Sequence, residues 1–412
     1  MSVVKSRRES LINSLEDNSI AIFYSSKSPI KSGDERYPFS PNRNYLYFTN
    51  LAIEHSFLVL YKTDDEIFEK LFIERNDPVL ARWIGEKLSK EECSEKSDIN
   101  IENINYIDDF YSFLGNTLSK YYIDCVYLYL KNVDWENSAT EKQLAKEITK
   151  DFPYIKIKDI SKIVNNLRVI KDDTEIENIK KAIAITKEGI VFLIKNAKPG
   201  MYEYELEAYF DFILRKNGVT DFAFKPIVAS GINSTILHYS SNNCKTHQDD
   251  VVLLDLGAQY NYYSADISRT FPISGKFTER QKVIYQIVLN TMKKVQSEAK
   301  PGITLFELNE VAKKSLAEGC KEIKLINSDD ELSKYYFHSI SHFLGLDTHD
   351  VGGKKIKLEP GMVITNEPGL YIPEEKIGIR IEDDLLITEN GCENLSKDIP
   401  RELFEIENLW RA

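Results

Sequence analysis

The phrase AKPGMYEYEL, residues 197–206, returns as AKPGITLFEL at residues 299–308. Both copies keep AKPG, then an aromatic (Tyr204, Phe306), then Glu-Leu (Glu205-Leu206, Glu307-Leu308). A short shared phrase alone carries little weight, but here the surroundings repeat as well. A long helix-like run precedes each copy and opens on a capping box, Thr174 with Glu177 in the first half and Thr278 with Gln281 in the second. An amphipathic stretch follows each copy. Apolar strand-like runs then hold two acids per half: Asp255 and Asp266, and later Glu367 and Glu382. The pattern predicts a duplicated α/β unit whose pseudo-twofold axis brings both acid pairs to one centre. In the first long helix, Ile176, Ile179, Ile183 and Ile190 are expected on one face.

The stretch before the repeat has a different texture. Short β-rich runs alternate with polar helical ones, and Tyr and Phe are dense. Strands are expected over 19–24, 45–48, 56–61, 70–73 and 125–130, and helices over 77–88 and 140–150. The expected class is α/β (α+β), with one domain over 1–170 and a second over 171–412.

Composition narrows the partners. With 53 basic and 65 acidic residues the net charge is −12, which argues against nucleic acid or an anionic membrane as partner, since both need a basic face. The five cysteines are odd in number and form no CxxC pair, so reduced thiols in a cytoplasmic protein are expected rather than a disulfide framework. The first residues hold no apolar signal core, and no run of about 18 apolar residues occurs, so neither a secretory signal nor a membrane span is expected.

The chemistry lies in five short phrases. Asp255 ends the apolar run VVLLD, and Asp266 follows 11 residues on, across a turn-rich segment at 259–264. A hairpin would set both carboxylates on facing strands. A buried carboxylate needs a metal or a cation, and Arg269 is the cation nearest in sequence. Of only six histidines, His338, His342 and His349 fall within twelve residues. HSISH has the spacing of a helical zinc motif but lacks the glutamate of HExxH. His238 stands alone in STILHYS, while His55 and His247 read as surface or loop residues. Glu367 closes the strand-like MVITNE before Pro-Gly. In GIRIEDD, strand alternation puts Arg380 and Glu382 on one face, and Asp383 and Asp384 read as solvated charges. Asp255, Asp266, His342, Glu367 and Glu382 form a hard, oxygen-rich set. It suits two divalent cations of the Mn, Co or Mg type better than one tetrahedral Zn. Such a pair activates water against a carbonyl.

Together, DLG with Asp266, HSISHFLGLDTHDVG, NEPG and RIEDD resemble the pita-bread metallopeptidases, and among them the Xaa-Pro aminopeptidase (aminopeptidase P) group. RRESL, YPFSPNRNYLYFTNL and LFIERNDPVLARWIGEKL resemble that family's N-terminal domain. The resemblance implies a creatinase-like α/β domain followed by a catalytic pita-bread domain. It implies that Asp255 chelates one metal, Asp266 and Glu382 bridge the pair, and His342 and Glu367 bind the second. Glu367 would also shuttle the proton, His349 would stabilise the oxyanion, and His238 would lie near the scissile imide. His338, Tyr371 and Arg380 match supporting positions, and Trp83 matches an aromatic at the substrate boundary, with core packing as its alternative. The expected cofactor is a pair of Mn ions, with Co, Mg or Zn as alternatives. The expected substrates are short peptides with proline second, and the expected assembly is a homodimer or homotetramer. Xaa-Pro dipeptidase shares the ligands and the HDVGG phrase at 349–353. A non-catalytic peptide-binding module would have lost ligands, and none is lost here.

Overall fold

The computed structural model describes residues 2–63, 66–131 and 140–410. The chain falls into two compact units, Met1–Leu167 and Arg168–Ala412. The boundary read from the sequence was 170/171.

The first unit is built on a six-stranded mixed sheet. In chain order its strands are β1 (Ser19–Tyr24), β2 (Phe57–Lys62), β3 (Ile67–Ile73), β4 (Ile104–Tyr106), β5 (Cys125–Leu128) and β6 (Lys156–Asp159). They lie in the order β4-β3-β2-β1-β5-β6, with β1 antiparallel to β2 and parallel to β5. Ile20, Ile22, Val59, Phe72, Phe110 and Val126 share one core on this sheet. Expected strand 45–48 is instead part of a helix, α1 (Arg43–Thr49). The Asn42 side chain caps it by accepting from the amides of Asn44 (2.9 Å) and Tyr45 (3.2 Å). Every residue from Asn44 to Thr49 is buried, so the aromatic content that favours strands is overridden by packing on all sides. The expected helix 77–88 is shorter, α2 (Pro78–Ile84), opened by Asp77 and stopped at Gly85, whose φ is 86°. A further helix, α3 (Thr140–Asp151), lies where one was expected.

The second unit shows the duplication in its backbone. Its helices are α4 (Asp173–Asn196), α5 (Glu203–Lys216), α6 (Glu279–Glu298) and α7 (Leu305–Glu322), with α4 packed on α5 and α6 on α7. Between the members of each pair the AKPG phrase makes the same turn. Gly200 has φ 89° and Gly302 has φ 90°, a region glycine enters freely. The amide of Gly200 donates to the Thr246 carbonyl (3.1 Å), and that of Gly302 to the Leu358 carbonyl (2.8 Å). Two residues on, Tyr202 pairs antiparallel with Lys245, and Thr304 with Lys357.

The capping box at Thr278 and Gln281 forms as expected, but α4 opens two residues early, on Asp172 with Glu175. The cause is Lys171. Its amide donates to the Gly361 carbonyl at 2.8 Å, and its buried ammonium lies 3.0 Å from Asp350 Oδ2. The chain is therefore fixed up to the cap, and helical turns begin immediately after it. Ile179, Ile183 and Ile190 are buried as expected, while Ile176 is only half-buried.

Each half then supplies strands. The first half gives β7 (Ile227–Ser230), β8 (Val251–Leu256), β9 (Gln259–Tyr260), β10 (Tyr263–Ser264) and β11 (Ile267–Pro272). The second gives β12 (Val363–Asn366), β13 (Gly369–Ile372), β14 (Ile377–Arg380), β15 (Asp383–Thr388) and β16 (Gly391–Asn394). Two three-stranded sheets result, β11-β8-β7 and β12-β15-β16.

Candidate metal centre

Strands β8 and β11 run antiparallel, with Asp255 opposite Ser268. The short β9–β10 ribbon joins them, so Asp266, the residue before β11, returns to the level of Asp255. Val251 to Leu254 are all buried, which draws the Asp255 end of the strand into the interior. Glu367 follows β12 directly. The strand alternation expected through Glu382 does not hold: β14 ends at Arg380, and β15 starts at Asp383. Glu382 sits in the crossover, where its amide donates to the Ser268 carbonyl at 3.0 Å.

Five side chains meet there. His342 Nε2 lies 3.3 Å from Asp266 Oδ2 and 3.6 Å from Glu367 Oε1. His342 Nδ1 donates to the Phe343 carbonyl at 3.0 Å, which turns Nε2 toward the carboxylates. Ligand atoms of Asp266, His342 and Glu382 all lie within 4.8 Å of one another. Asp255 Oδ2 accepts from Arg380 Nη2 at 2.6 Å. Among the described residues its other oxygen, Oδ1, is buried without a partner. The cation beside Asp255 is thus Arg380. Arg269 pairs with Asp383 at 2.7 Å, and Asp383 is completed by Arg401.

The electrostatics show what this set lacks. Burial holds the Asp266 carboxyl well above the usual carboxylate range, and Asp255, Asp384 and Glu367 push it further. Burial does the same to Glu382, reinforced by Asp266 and Glu367. Glu367 is raised by burial too, though His342 and Arg380 oppose the rise. One guanidinium cannot balance four clustered carboxylates, two of them buried and two half-buried. An orphaned oxygen, an imidazole lone pair and excess negative charge together fit divalent cations bound through oxygen and one nitrogen.

These residues line a cavity of about 320 Å³. Asp255, Asp266, His342, Glu367, Glu382 and Arg380 line it together with His238 and His349, and Phe224, Ile227 and Leu237 are among the apolar lining. The His349 ring stands edge-on to His342, centroids 4.4 Å apart. Burial, then His342 and His238, lowers its pKa, against a smaller opposing pull from Asp255. His338 and Tyr371 stand behind this lining as a relay. Arg380 Nη1 donates to the Tyr371 hydroxyl (2.9 Å), which donates to His338 Nε2 (2.9 Å). His338 Nδ1 donates to the Ser339 carbonyl (2.8 Å). Burial, then Arg380, pushes the His338 imidazole down to about 4, so it remains an acceptor for Tyr371.

Replacing Tyr371 by phenylalanine removes one buried hydroxyl from this relay. The expected result is an unfolding free energy lower by about 1–2 kcal/mol, because Arg380 and His338 each lose a partner. A fall in kcat/KM of about tenfold is expected with it, read by peptide cleavage beside chemical denaturation.

Other expected residues are placed as follows. His55 pairs with Glu74 at 3.0 Å, and His247 is exposed. Trp83 is 83% exposed, which removes core packing as its explanation. Asp383 and Asp384, expected in solvent, are both fully buried. Asp384 Oδ2 accepts from the Asp266 amide at 3.2 Å, and Arg269 anchors Asp383. Sequence reasoning missed Ser268 and Thr365. Ser268 Oγ accepts from Arg380 Nε (2.8 Å) and donates to Glu382 Oε2 (2.7 Å). Thr365 Oγ1 accepts from the His342 amide (3.1 Å) and donates to Glu367 Oε1 (3.3 Å). No feature of the sequence marked Ser268; its place opposite Asp255 is set by the strand register. These hydroxyls hold the Glu382 and Glu367 carboxylates in place from behind.

A duplicated α/β unit closing on such a centre defines a class of metallopeptidase. The chain belongs to metallopeptidase family M24, whose pattern matches residues 177–389. Residues 4–127 match the aminopeptidase P N-terminal domain, so the fold is that domain followed by a pita-bread catalytic domain. The chain is 34% identical to Xaa-Pro aminopeptidase of Escherichia coli strain K12 over 432 residues, covering 98% of this chain and 97% of the relative. It is 34% identical to Xaa-Pro dipeptidase of Pyrococcus horikoshii over 316 residues, 76% of this chain and 82% of that one. Among solved structures it is similar to a candidate aminopeptidase P from Bacillus anthracis, with 49% identity, TM-score 0.96 and coverage of 99% and 97%. It is also similar to a variant Escherichia coli aminopeptidase P in complex with substrate, with 31% identity, TM-score 0.91 and the same coverage.

Proposed function

We propose that this metallopeptidase is an Xaa-Pro aminopeptidase, releasing the first residue of peptides that carry proline second. The observation that carries the reading is the meeting of Asp255, Asp266, His342, Glu367 and Glu382 in one cavity, with His238 and His349 on its wall. Asp255 would hold one cation, Asp266 and Glu382 both cations, and His342 and Glu367 the other. When bound, the two cations, Mn in this reading, supply Lewis acidity at the scissile carbonyl and an activated water.

The chain's own groups do the rest. The X–Pro amide is tertiary, and its nitrogen carries no hydrogen, so proline leaves as an amine only after gaining a proton. Glu367, fixed by Thr365 on one oxygen and with its other oxygen 3.7 Å from His338, is placed to carry that proton. His349 donates to the oxygen as charge develops on it, and His238 contacts the substrate near the scissile imide. Arg380 holds Asp255 and Tyr371 in register at 2.6 and 2.9 Å.

Helix α2 supports an oligomer, a homodimer or homotetramer. It buries none of its residues and exposes Val79, Leu80, Trp83 and Ile84. Five free cysteines support a reducing, cytoplasmic setting. Among the described residues no helix is long and apolar enough to cross a membrane.

The Pyrococcus relative favours a second reading, an Xaa-Pro dipeptidase. One assay separates the two: chelated protein is given Mn and offered Ala-Pro and Ala-Pro-Ala. Release of alanine from the tripeptide, leaving Pro-Ala, is the expected outcome. Cleavage of the dipeptide alone would make the enzyme a dipeptidase, and no Mn-dependent cleavage of either peptide would overturn both readings.

A further inference from the structure

Glu203 opens helix α5 and is fully buried, yet its partners are all neutral. Oε1 accepts from the Ser230 amide (2.8 Å), the Ser230 hydroxyl (2.8 Å) and Asn233 Nδ2 (3.0 Å). Oε2 accepts from the Tyr239 hydroxyl (2.7 Å) and the Cys244 amide (3.0 Å). The Glu203 amide closes the set by donating to the Cys244 carbonyl at 3.0 Å. All of these partners lie between residues 230 and 244, the segment that carries His238 out to the cavity wall.

The internal repeat supplies a control. AKPGMYE aligns with AKPGITL, so Glu203 corresponds to Leu305, which is also buried. The fold therefore accepts a plain aliphatic side chain at this turn. A buried carboxylate without a cation is costly, and it persists only where several donors compensate it. Here the donors belong to one loop, whose other anchor is apolar. Tyr239 packs with Ile227, Ala229, Leu253 and Tyr371, and Leu237 packs against the same cluster. His238 is thus an exposed side chain between two anchored neighbours.

We infer that Glu203 is the positioning residue for His238: it gathers the 230–244 loop around one carboxylate and so fixes the imidazole toward the substrate. The inference rests on the peptidase reading for its kinetic consequence, but not for the loop geometry. Burial, then the Glu203 contact, raises the Tyr239 hydroxyl, so Tyr239 stays a donor over the working range. Glutamine cannot replace this acceptor. Whichever way its amide is turned, an NH2 group meets at least two donors.

The test uses the full Mn-loaded chain with Glu203→Gln, Glu203→Leu, His238→Ala and the double variant Glu203→Gln/His238→Ala. Glu203→Gln is expected to lower kcat/KM for Ala-Pro-Ala at least tenfold, with metal content unchanged. In the His238→Ala background the same change should cost less than threefold, because the positioned group is gone. A loss that multiplies fully in the double variant would overturn the inference, as would unchanged kinetics in Glu203→Gln. Hydrogen exchange of the 230–244 amides gives a readout independent of activity. It should quicken in Glu203→Gln and Glu203→Leu while α6 and α7 stay protected, and unchanged exchange would also overturn the inference. If the wild type cleaves neither peptide, the peptidase reading fails, and the exchange data still decide what Glu203 does. If both Glu203 variants fail to fold, Tyr239→Phe, which removes one donor and keeps the ring, carries the same two measurements.

Discussion

Substituting Asp266 with asparagine is expected to abolish peptide cleavage and to strip metal from the protein in one step. Asp266 is buried, faces His342 at 3.3 Å and shares the 4.8 Å cluster with Glu382. In the proposed centre Asp266 would serve both cations, so its loss would disturb both at once. Asparagine keeps the shape but removes the negative charge and turns one ligand oxygen into a donor. Lewis-acid help at a carbonyl is worth several kcal/mol, so losing it implies a rate fall on the order of 10³-fold or more. Glu382→Gln should behave alike. Asp211→Asn, a half-buried change on α5 that loosens only a helical ion pair with Arg215 (3.2 Å), is the matched control and should leave cleavage and metal content unchanged. Elemental analysis beside tripeptide cleavage makes the measurement. An Asp266→Asn protein with full activity and two bound metals would sink the shared-ligand assignment.

What could be read in advance follows from where each interaction sits along the chain. The Thr278–Gln281 cap and the antiparallel pairing beside Asp255 are local, set by residues within one turn or one ribbon, and both form, although Asp266 lies just before its strand rather than on it; the repeated AKPG phrase makes the same turn twice. The partners that orient the ligands are distant. Arg380 reaches Asp255 across 125 residues, and Arg269 reaches Asp383 across 114. Nothing in either phrase distinguishes which arginine meets which aspartate. That is why Arg269 looked the nearer partner, and why Asp383 and Asp384 looked solvated. The same limit explains α1. Tyr45, Tyr47 and Phe48 favour strands in a half-buried setting, but this segment is enclosed on every side, which only the finished fold decides. For DDTEIE two capping registers are available from the letters. The choice falls to Asp172 because Asp350 and Gly361, far along the chain, pin Lys171.

The metal-free protein carries the cost of its own site, and pH should expose it. In the absence of metal, burial and mutual repulsion raise Asp266, Glu382 and Glu367 in the folded chain. Below the unfolded carboxylate value of about 4 these groups are protonated in both states and cost nothing. As pH rises through their higher folded values, the unfolded chain sheds protons first, and stability falls. Cations reverse the sign, since the bound carboxylates are ionised in the folded state and protons compete with metal. The stabilisation brought by Mn should therefore grow steadily between about pH 5 and pH 8. It should reach about 4 kcal/mol when free metal is a thousandfold above its dissociation constant. Asp350 works oppositely: burial raises it, but Lys171 and Arg168 outweigh burial and hold it low. Its contribution is common to both forms and cancels in their difference. Denaturation of chelated and Mn-loaded protein across that pH range measures the increment. An increment that stays flat or shrinks as pH rises would show that these carboxylates do not bind the cations, whatever their geometry suggests.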